Sequence, residues 1–392
     1  MVGGNKDFIG KTLLERFDLL VIMFLFYLGG ILFYENIPVV IPLKYPILKE
    51  KLLAIVSTAF LSYLLGKAIG KNVRHNYINF RTEYLKKHLQ KIKLIIFFFS
   101  LICLAFYLLR GIPILARGEE AAALKLQLTS QRSFGATRIL YVLLPYITIV
   151  LYSMVKNHKN NVNTNVKYIS YMLICFLLLS FGLFKGALIT YILTIVFVYD
   201  KYCKRINISM KSIIIGICTI AIIILPIFLT EINDFGKALL YLLNRLIIYS
   251  WEGFNYIVLY DLPPDINLHF QGFIGLKQVE SADVILGAEF TRINPPPIAI
   301  VPTLFGFCYR NGGIPLVVIT FIILGFIVER IIKKFARTQD EVKSTTYIFL
   351  YIVFFKMMLV GNVFNDIRGP ILSLVVIHYV SRIILNKRKI YA

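Results

Sequence analysis

The chain has 392 residues, of which 58% are hydrophobic and 16% are charged, and its mean hydropathy is +0.74. Soluble domains are less apolar and more charged, so the composition excludes an ordinary soluble protein. The formal net charge of +22 would suggest nucleic-acid binding in a soluble chain. Here Lys and Arg concentrate in short loops between apolar runs, a pattern typical of membrane proteins, so no nucleic-acid partner is expected.

The apolar runs predict the fold class. Most are about as long as a membrane-spanning helix, which needs roughly 17 to 25 residues. Basic loops stay in the cytoplasm, and basic and acidic loops alternate along the chain, so we expect ten spans with both termini cytoplasmic. No long polar segment could fold separately, and residues 1–392 should form one all-α polytopic transmembrane helical bundle. The expected spans are residues 17–34, 52–69, 94–109, 139–155, 168–184, 187–199, 212–229, 314–332, 346–360 and 371–385.

The loops next to the first two spans illustrate the alternation. The connection ENIPVVIPLKYPILKEK contains Pro38, Pro42 and Pro46, which forbid a regular helix and predict an outside loop. The loop after the second span is the most basic of the chain and is predicted to be cytoplasmic. Its cations are Lys67, Lys71, Arg74, Arg81, Lys86, Lys87, Lys91 and Lys93.

Two larger segments are predicted to be extracytoplasmic, a smaller loop at residues 110–138 and a main loop at 230–313. Within the main loop, residues 237–260 predict one amphipathic helix with a narrow polar stripe. A further span here would require the segment 298–309 to cross the membrane, and it is too short to do so. The stripe contains Lys237, Asn244, Arg245, Glu252 and Asn255.

The amphipathic helix has two interpretations. It could lie in the membrane interface with the stripe in water and Trp251, the only tryptophan, at headgroup level. Alternatively, the stripe could face a cavity, in which case Arg245 and Glu252 would meet one substrate. The residues alone do not decide between the two.

Three sequence segments carry a family resemblance. They are GIPIL with the charged loop that follows it, at residues 111–138; FGLFKGALITYILTIVFVY, at 181–199; and PTLFGFCYRNGGIPLVVITFIILGF, at 302–326. The chain resembles the bacterial oligosaccharide repeat-unit polymerases, the Wzy-type O-antigen and capsule polymerases. Family members often carry Arg in the second segment, where this chain has Lys185. The Arg-x10-Gly loop motif of some members is absent, so the loop arginines cannot be matched to it.

The resemblance implies a GT-C-like membrane glycosyltransferase in the bacterial inner membrane. Such an enzyme transfers the growing glycan from undecaprenyl pyrophosphate to the non-reducing end sugar of an incoming lipid-linked unit, on the outer face of the membrane. Its expected partners are undecaprenyl-pyrophosphate-linked oligosaccharide and membrane lipids, with a chain-length regulator protein and a flippase as further candidates.

This reaction needs cations for the pyrophosphate and a base for the acceptor hydroxyl. No Asp-x-Asp pair occurs in an expected outside loop, and the five cysteines have no metal-ligand spacing, so no metal and no cofactor are expected. Arg and Lys would then balance the charge. The candidate base is Glu252, His269 or Asp366. The candidate pyrophosphate- or substrate-binding residues are Arg117, Arg132, Lys185, Arg245, Arg292, Arg310, Lys356 and Arg368.

Two other functions remain open at this point. An O-antigen ligase, which transfers glycan to lipid A core, would have the same topology. A lipid-linked oligosaccharide flippase or another transporter would instead distribute its cations through a central cavity. The gathering of the candidate charges at the expected outer face favours a surface reaction.

Overall fold

The computed structural model describes most of the predicted bundle. The described residues are 11–38, 45–73, 86–116, 139–158, 162–182, 185–202, 251–267 and 302–360, and the single positions 120, 124, 236, 237, 239–241, 244, 248, 375 and 379. These residues are helical or lie in turns and connections, and they include no strand. The all-α fold class is therefore confirmed for the part of the chain that the structure describes.

Ten α-helices can be named within these ranges. Short 3-10 turns at Tyr34–Asn36 and Pro113–Leu115 and a π turn at Ile139–Leu143 adjoin them. The helices are α1 (Leu13–Arg16), α2 (Leu19–Phe33), α3 (Lys49–Asn72), α4 (Lys86–Arg110), α5 (Leu144–His158), α6 (Val162–Phe181), α7 (Lys185–Tyr202), α8 (Glu252–Tyr260), α9 (Thr303–Arg337) and α10 (Glu341–Val360).

Five helical stretches among the described residues are long and apolar enough to cross a membrane. Two shorter apolar helices, Ile139–Val155 and Tyr168–Phe181, occupy the expected fourth and fifth spans. The protein is thus a multi-pass membrane protein. The count of ten spans stays a prediction, because residues 212–229 and nearly all of 371–385 lie outside the described residues. The five stretches are Leu13–Asn36, Lys49–Asn72, Leu89–Arg110, Thr303–Arg337 and Glu341–Leu359.

Outward-facing apolar side chains support the same conclusion. On α4, Phe97, Leu101 and Leu108 are exposed, although each is a large hydrophobic residue. A water-soluble monomer rarely exposes a continuous apolar surface of this kind. In a bilayer, lipid tails would cover it.

The helices α3 and α9 approach each other closely through glycine. A Cβ atom added at Gly66 would collide with the carbonyl oxygen of Ile322, and one added at Gly325 would collide with that of Tyr63. Gly70, one turn along α3, lies against Phe326 and Glu329 of α9. Gly66 and Gly70 form a G-x-x-x-G pair, the spacing that lets membrane helices pack backbone to backbone.

The helix α9 is a hairpin of two limbs. Its backbone leaves helical geometry at Gly312 and Gly313, and Gly313 (φ 60°, ψ −156°) occupies a region that is essentially restricted to glycine. The rings of Phe305 and Phe321 stack with centroids 5.1 Å apart. In a straight helix these residues would be separated by about 24 Å. The first limb, residues 303–311, therefore folds back along the second limb, residues 314–337.

The hairpin changes the description of the main loop. Residues 302–313 were predicted as its end, but residues 303–311 form a helix whose side chains are largely buried. Phe305 packs against Phe24 and Tyr27 of α2, with ring centroids 5.5 and 5.1 Å away. The loop therefore returns into the bundle before the eighth span begins.

One end of the bundle collects the junctions that were predicted to be cytoplasmic. Arg16 lies 3.3 Å from Asp200, which also accepts a 2.6 Å hydrogen bond from the amide of Leu13. Lys201 donates to the carbonyl oxygens of Phe335 and Thr338. Lys333 donates to the carbonyl of Lys71 at 2.7 Å. We call this the basic end, and the other end, which carries residues 34–38, 45–48 and 251–267, the loop end.

An ionic network lies in the half of the bundle near the basic end. Asp18 caps α2 and accepts hydrogen bonds from Tyr351 (2.9 Å), Tyr63 (2.6 Å) and Lys67 (2.5 Å). Lys67 also lies 3.8 Å from Glu329 of α9. We call these five residues the Asp18 network. It joins α2, α3, α9 and α10, so Lys67, which was assigned to the basic loop, instead has a partner inside the bundle.

Candidate active site at the loop end

The loop end is organised by α8. The stretch 237–260, predicted as one helix, is divided: Trp251 has non-helical backbone angles (φ −112°, ψ 3°), and α8 begins at Glu252. Trp251 is fully buried, and its ring lies edge-on to that of Tyr34. The burial contradicts the interfacial interpretation, which placed Trp251 at headgroup level.

Two asparagines of the polar stripe bind the first outside connection. Asn244 donates through Nδ2 to the carbonyl oxygen of Pro38 at 2.9 Å. Asn255 donates to the carbonyl of Pro46 at 3.0 Å and accepts from the amide of Leu48 at 3.2 Å. Both asparagines are buried. They satisfy backbone groups of this connection at Pro38, Pro46 and Leu48, so part of the stripe is structural.

The first limb of α9 packs directly against α8. A Cβ atom on Gly306 would lie 3.0 Å from Ile257 and 3.3 Å from the backbone of Phe254, so the limb and α8 are in close contact. The rings of Phe254 and Phe305 are 6.0 Å apart. Because Phe305 also contacts α2, the position of α8 is fixed by the transmembrane core.

A short strap follows α8, defined here as residues 261–267. The amide of Asp265 donates to Oδ1 of Asn311 at 2.7 Å. Arg310 donates through Nε to the carbonyl of Pro263 at 2.8 Å, and its Nη1 lies 3.4 Å from the carboxylate of Asp265. The turn of the α9 hairpin is thereby joined to the strap. The loop end therefore brings together charged, aromatic and backbone groups from four segments that are separated in the sequence.

A sequence comparison decides the family. The sequence model of the family described as "Putative O-antigen polymerase" matches residues 15–379, nearly the whole chain. The chain belongs to this O-antigen polymerase family. The suspected resemblance is confirmed, and with it a polymerase role in O-antigen synthesis and a glycosyltransferase-like activity. No curated protein and no solved structure matches the chain.

Three residues that were predicted for the site of this polymerase are described with their side chains, and all three lie at the loop end. Glu252 is the first residue of α8, half-buried, where the helix dipole stabilises an ionised carboxylate. Lys356 is half-buried on α10, about one turn before the helix ends. Arg310 lies at the hairpin turn. Lys356 lies within an expected span, and charged residues within spans usually face a functional cavity.

The observed contacts of Arg310 indicate a structural role. Its side chain is only 6% exposed and it holds the strap through Pro263 and Asp265. A pyrophosphate group would have to compete with the carboxylate of Asp265 for this guanidinium. Its assignment as a substrate-binding residue stays a prediction, and the structure adds a role in positioning the strap.

The remaining predicted site residues are not tested. Lys185 begins α7, but its side chain lies outside the described part of the chain. The others lie wholly outside the described residues: Arg117, Arg132, Arg245, His269, Arg292, Asp366 and Arg368.

The loop end also contains an aromatic cluster that was not predicted from the sequence. Tyr45, Tyr256 and Tyr260 form mutual ring contacts, and Tyr309 packs on the same cluster with Lys51 5.5 Å above its ring. A spacing signal existed for only one pair, because Tyr256 and Tyr260 are four residues apart and therefore share a helix face. Tyr45 comes from a connection that no local pattern links to α8.

Proposed function

We propose that this polymerase transfers the growing glycan from undecaprenyl pyrophosphate to the non-reducing end sugar of an incoming lipid-linked repeat unit. The observation that carries the proposal is the family match over residues 15–379. Glu252, Arg310 and Lys356 all lie at the loop end, which supports a reaction at that surface. Further candidates for partners are a flippase that delivers the units and a chain-length regulator protein.

The reaction defines what the site must supply. The acceptor oxygen forms a bond to the anomeric carbon, the bond from that carbon to the pyrophosphate oxygen breaks, and the acceptor proton passes to a base. Glu252, His269 and Asp366 are the candidate bases. Arginine and lysine stabilise the negative charge that develops on the leaving pyrophosphate. The cations proposed for this role are Arg117, Arg132, Lys185, Arg245, Arg292, Arg310, Lys356 and Arg368.

The proposal assigns a side to each end of the bundle. Lys and Arg at membrane junctions remain in the cytoplasm, so the basic end would face the cytoplasm and the loop end would face outward from the bacterial inner membrane. Both termini would then be cytoplasmic. The shared position of Arg16, Lys201 and Lys333 at one end supports this orientation.

The decisive experiment uses purified protein in vesicles with defined lipid-linked repeat units. We expect wild-type protein to lengthen the lipid-linked glycan. We expect Glu252→Gln to reduce the rate about a hundredfold, because a positioned base contributes roughly that factor or more. Glu50→Gln is the matched control, because Glu50 is an exposed carboxylate at the start of α3. Its rate should equal that of wild type.

Each alternative has its own outcome in the same assay. Glycan transferred to lipid A core, with no lengthened lipid-linked product, would identify a ligase. Movement of the units across the membrane without new glycosidic bonds would identify a flippase. Equal rates for Glu252→Gln and Glu50→Gln would remove Glu252 from the chemistry and leave His269 and Asp366 as candidate bases.

We also propose that catalysis does not use a divalent cation. The predicted outside loops contain no Asp-x-Asp pair, and the many arginines could balance the pyrophosphate charge. The lengthening rate should therefore be unchanged after treatment with EDTA and after later addition of magnesium or manganese. Loss of the rate with EDTA and its recovery with either ion would contradict this proposal.

A further inference from the structure

Three tyrosines at the loop end form a cluster apart from the main hydrophobic core. The ring centroids of Tyr45 and Tyr256 are 5.2 Å apart, those of Tyr45 and Tyr260 are 5.4 Å apart, and those of Tyr256 and Tyr260 are 4.8 Å apart. We call Tyr45, Tyr256 and Tyr260 the tyrosine platform. Two chain segments contribute to it, the connection before α3 and the last two turns of α8.

The platform is buried on one side and open on the other. Tyr256 is 8% exposed, whereas Tyr260 is 50% exposed. Tyr260 is therefore an outward-facing ring that two other rings hold in place. A side chain fixed in this way loses little conformational freedom when a ligand binds, and this raises affinity.

An exposed acidic residue follows the open ring in the sequence. Asp261 directly follows Tyr260, is exposed, and has a left-handed backbone conformation (φ 47°, ψ 52°), which Asp tolerates better than most residues. Pro263 and Pro264 of the strap are exposed beside it. The open surface thus combines an aromatic face, an acidic hydrogen-bond acceptor and stiff backbone.

We propose that the tyrosine platform and Asp261 form a subsite for one pyranose ring of the glycan. The apolar C–H face of the sugar would stack on Tyr260, and two neighbouring hydroxyl groups would donate hydrogen bonds to the carboxylate of Asp261. The inference rests on the proposed function, which brings a glycan to this end of the bundle. This subsite would hold a neutral sugar of the glycan near the reacting groups.

The charge of the surface favours a sugar over a lipid headgroup. Tyrosine rings are common at membrane interfaces, where they meet phosphate-bearing headgroups. Here the residue that follows the open ring, Asp261, is acidic and repels phosphate. Two nearby cations already have partners, because Arg310 bonds to Pro263 and Asp265 and Lys51 lies over the ring of Tyr309. Sugar hydroxyls, which donate hydrogen bonds, match a carboxylate better.

The test measures glycan binding separately from catalysis. The probe is the lipid-free repeat-unit oligosaccharide, released by mild acid hydrolysis of the glycosyl phosphate bond of the lipid-linked unit and titrated into full-length protein in nanodiscs. We expect Tyr260→Ala to weaken binding about tenfold, as truncation of a central aromatic contact does. Asp261→Asn should also weaken binding, and Tyr260→Phe should bind like wild type because the ring face remains.

Tyr199→Ala is the matched control, because Tyr199 is 39% exposed and lies near the basic end. It should leave binding unchanged. Wild-type affinity in Tyr260→Ala, or loss only of stability in the nanodisc, would overturn the proposal, and the latter would identify a headgroup anchor. Wild-type protein that fails to bind the oligosaccharide would overturn it too.

The two proposals fail separately. Binding that depends on Tyr260 in a protein that does not lengthen lipid-linked glycan would contradict the polymerase reaction and keep the subsite. Lengthening by Tyr260→Ala with the KM and kcat of wild type would contradict the subsite and keep the reaction.

Discussion

Lys67→Met should destabilise this protein more than any other single charge removal in the described part of the bundle. Lys67 lies 2.5 Å from Asp18 and 3.8 Å from Glu329, and all three side chains are at most 16% exposed. Removing the shared cation leaves two carboxylates in a low-dielectric interior. Breaking a buried ion pair in this way costs about 3–5 kcal/mol. We expect the thermal midpoint of the purified protein to fall by about 10 °C.

Lys71→Met is the control, because Lys71 is exposed one turn further along α3. Its midpoint should equal that of wild type. The double variant Lys67→Met/Glu329→Gln should recover part of the loss, because it removes one of the two carboxylates that lack a cation. A midpoint for Lys67→Met within about two degrees of the control would show that the Asp18 network does not stabilise the fold.

The second large effect concerns the contact between α3 and α9. We expect Gly66→Ala and Gly325→Ala each to lower stability by at least about 1–3 kcal/mol, because one methyl group would push two backbones apart. Gly29→Ala is the same chemical change on α2, where an added Cβ would meet nothing within 4 Å. It should be neutral or slightly stabilising, since Ala favours a helix by up to about 1 kcal/mol over Gly.

The measurement is the thermal midpoint and the yield of monodisperse protein for the three glycine variants, prepared in parallel. Opposite signs for Gly66→Ala and Gly29→Ala would establish the close approach of the two backbones. A stabilised Gly66→Ala would mean that α3 and α9 are further apart than the structure has them.

The positions of the helices could largely be predicted from the sequence, because a run of apolar residues must span the membrane as a helix. The segment 52–69 became α3 and 346–360 became α10, each with an extra turn or so at its polar start. The end of α3 also extends, to Asn72. The family could be predicted as well, since its resemblance is distributed over much of the chain.

The connections between distant segments could not be predicted. Asn255 looked like part of a polar face, but its partners, Pro46 and Leu48, are about two hundred residues away in the sequence. In the sequence, Lys67 resembles the other cations of the basic loop. Its contacts with Asp18 and Glu329 follow only from the packing of the helices. Local patterns specify which residues are polar, and only the packing of the helices specifies which polar groups meet.

The same difference between local sequence patterns and helix packing applies to the candidate site. Glu252 and Arg310 were selected as charged residues of the main outside loop, and Lys356 because charged residues within spans usually face a functional cavity. Their roles in the reaction stay predictions. The tyrosine platform could not be selected, because Tyr45 belongs to a connection with no periodic pattern. The contacts of Tyr45 with Tyr256 and Tyr260 follow from the three-dimensional structure alone.

The hairpin of α9 imposes an order on the folding of the protein. Residues 303–311 would form a helix only about 13 Å long, less than half of the hydrocarbon thickness, so this limb cannot be inserted as an independent span. The second limb, residues 314–337, is long enough to insert first. The first limb must then be drawn in as Phe305 stacks on Phe321. Because α8 packs on that limb, the loop end is completed last, after the neighbouring spans have assembled.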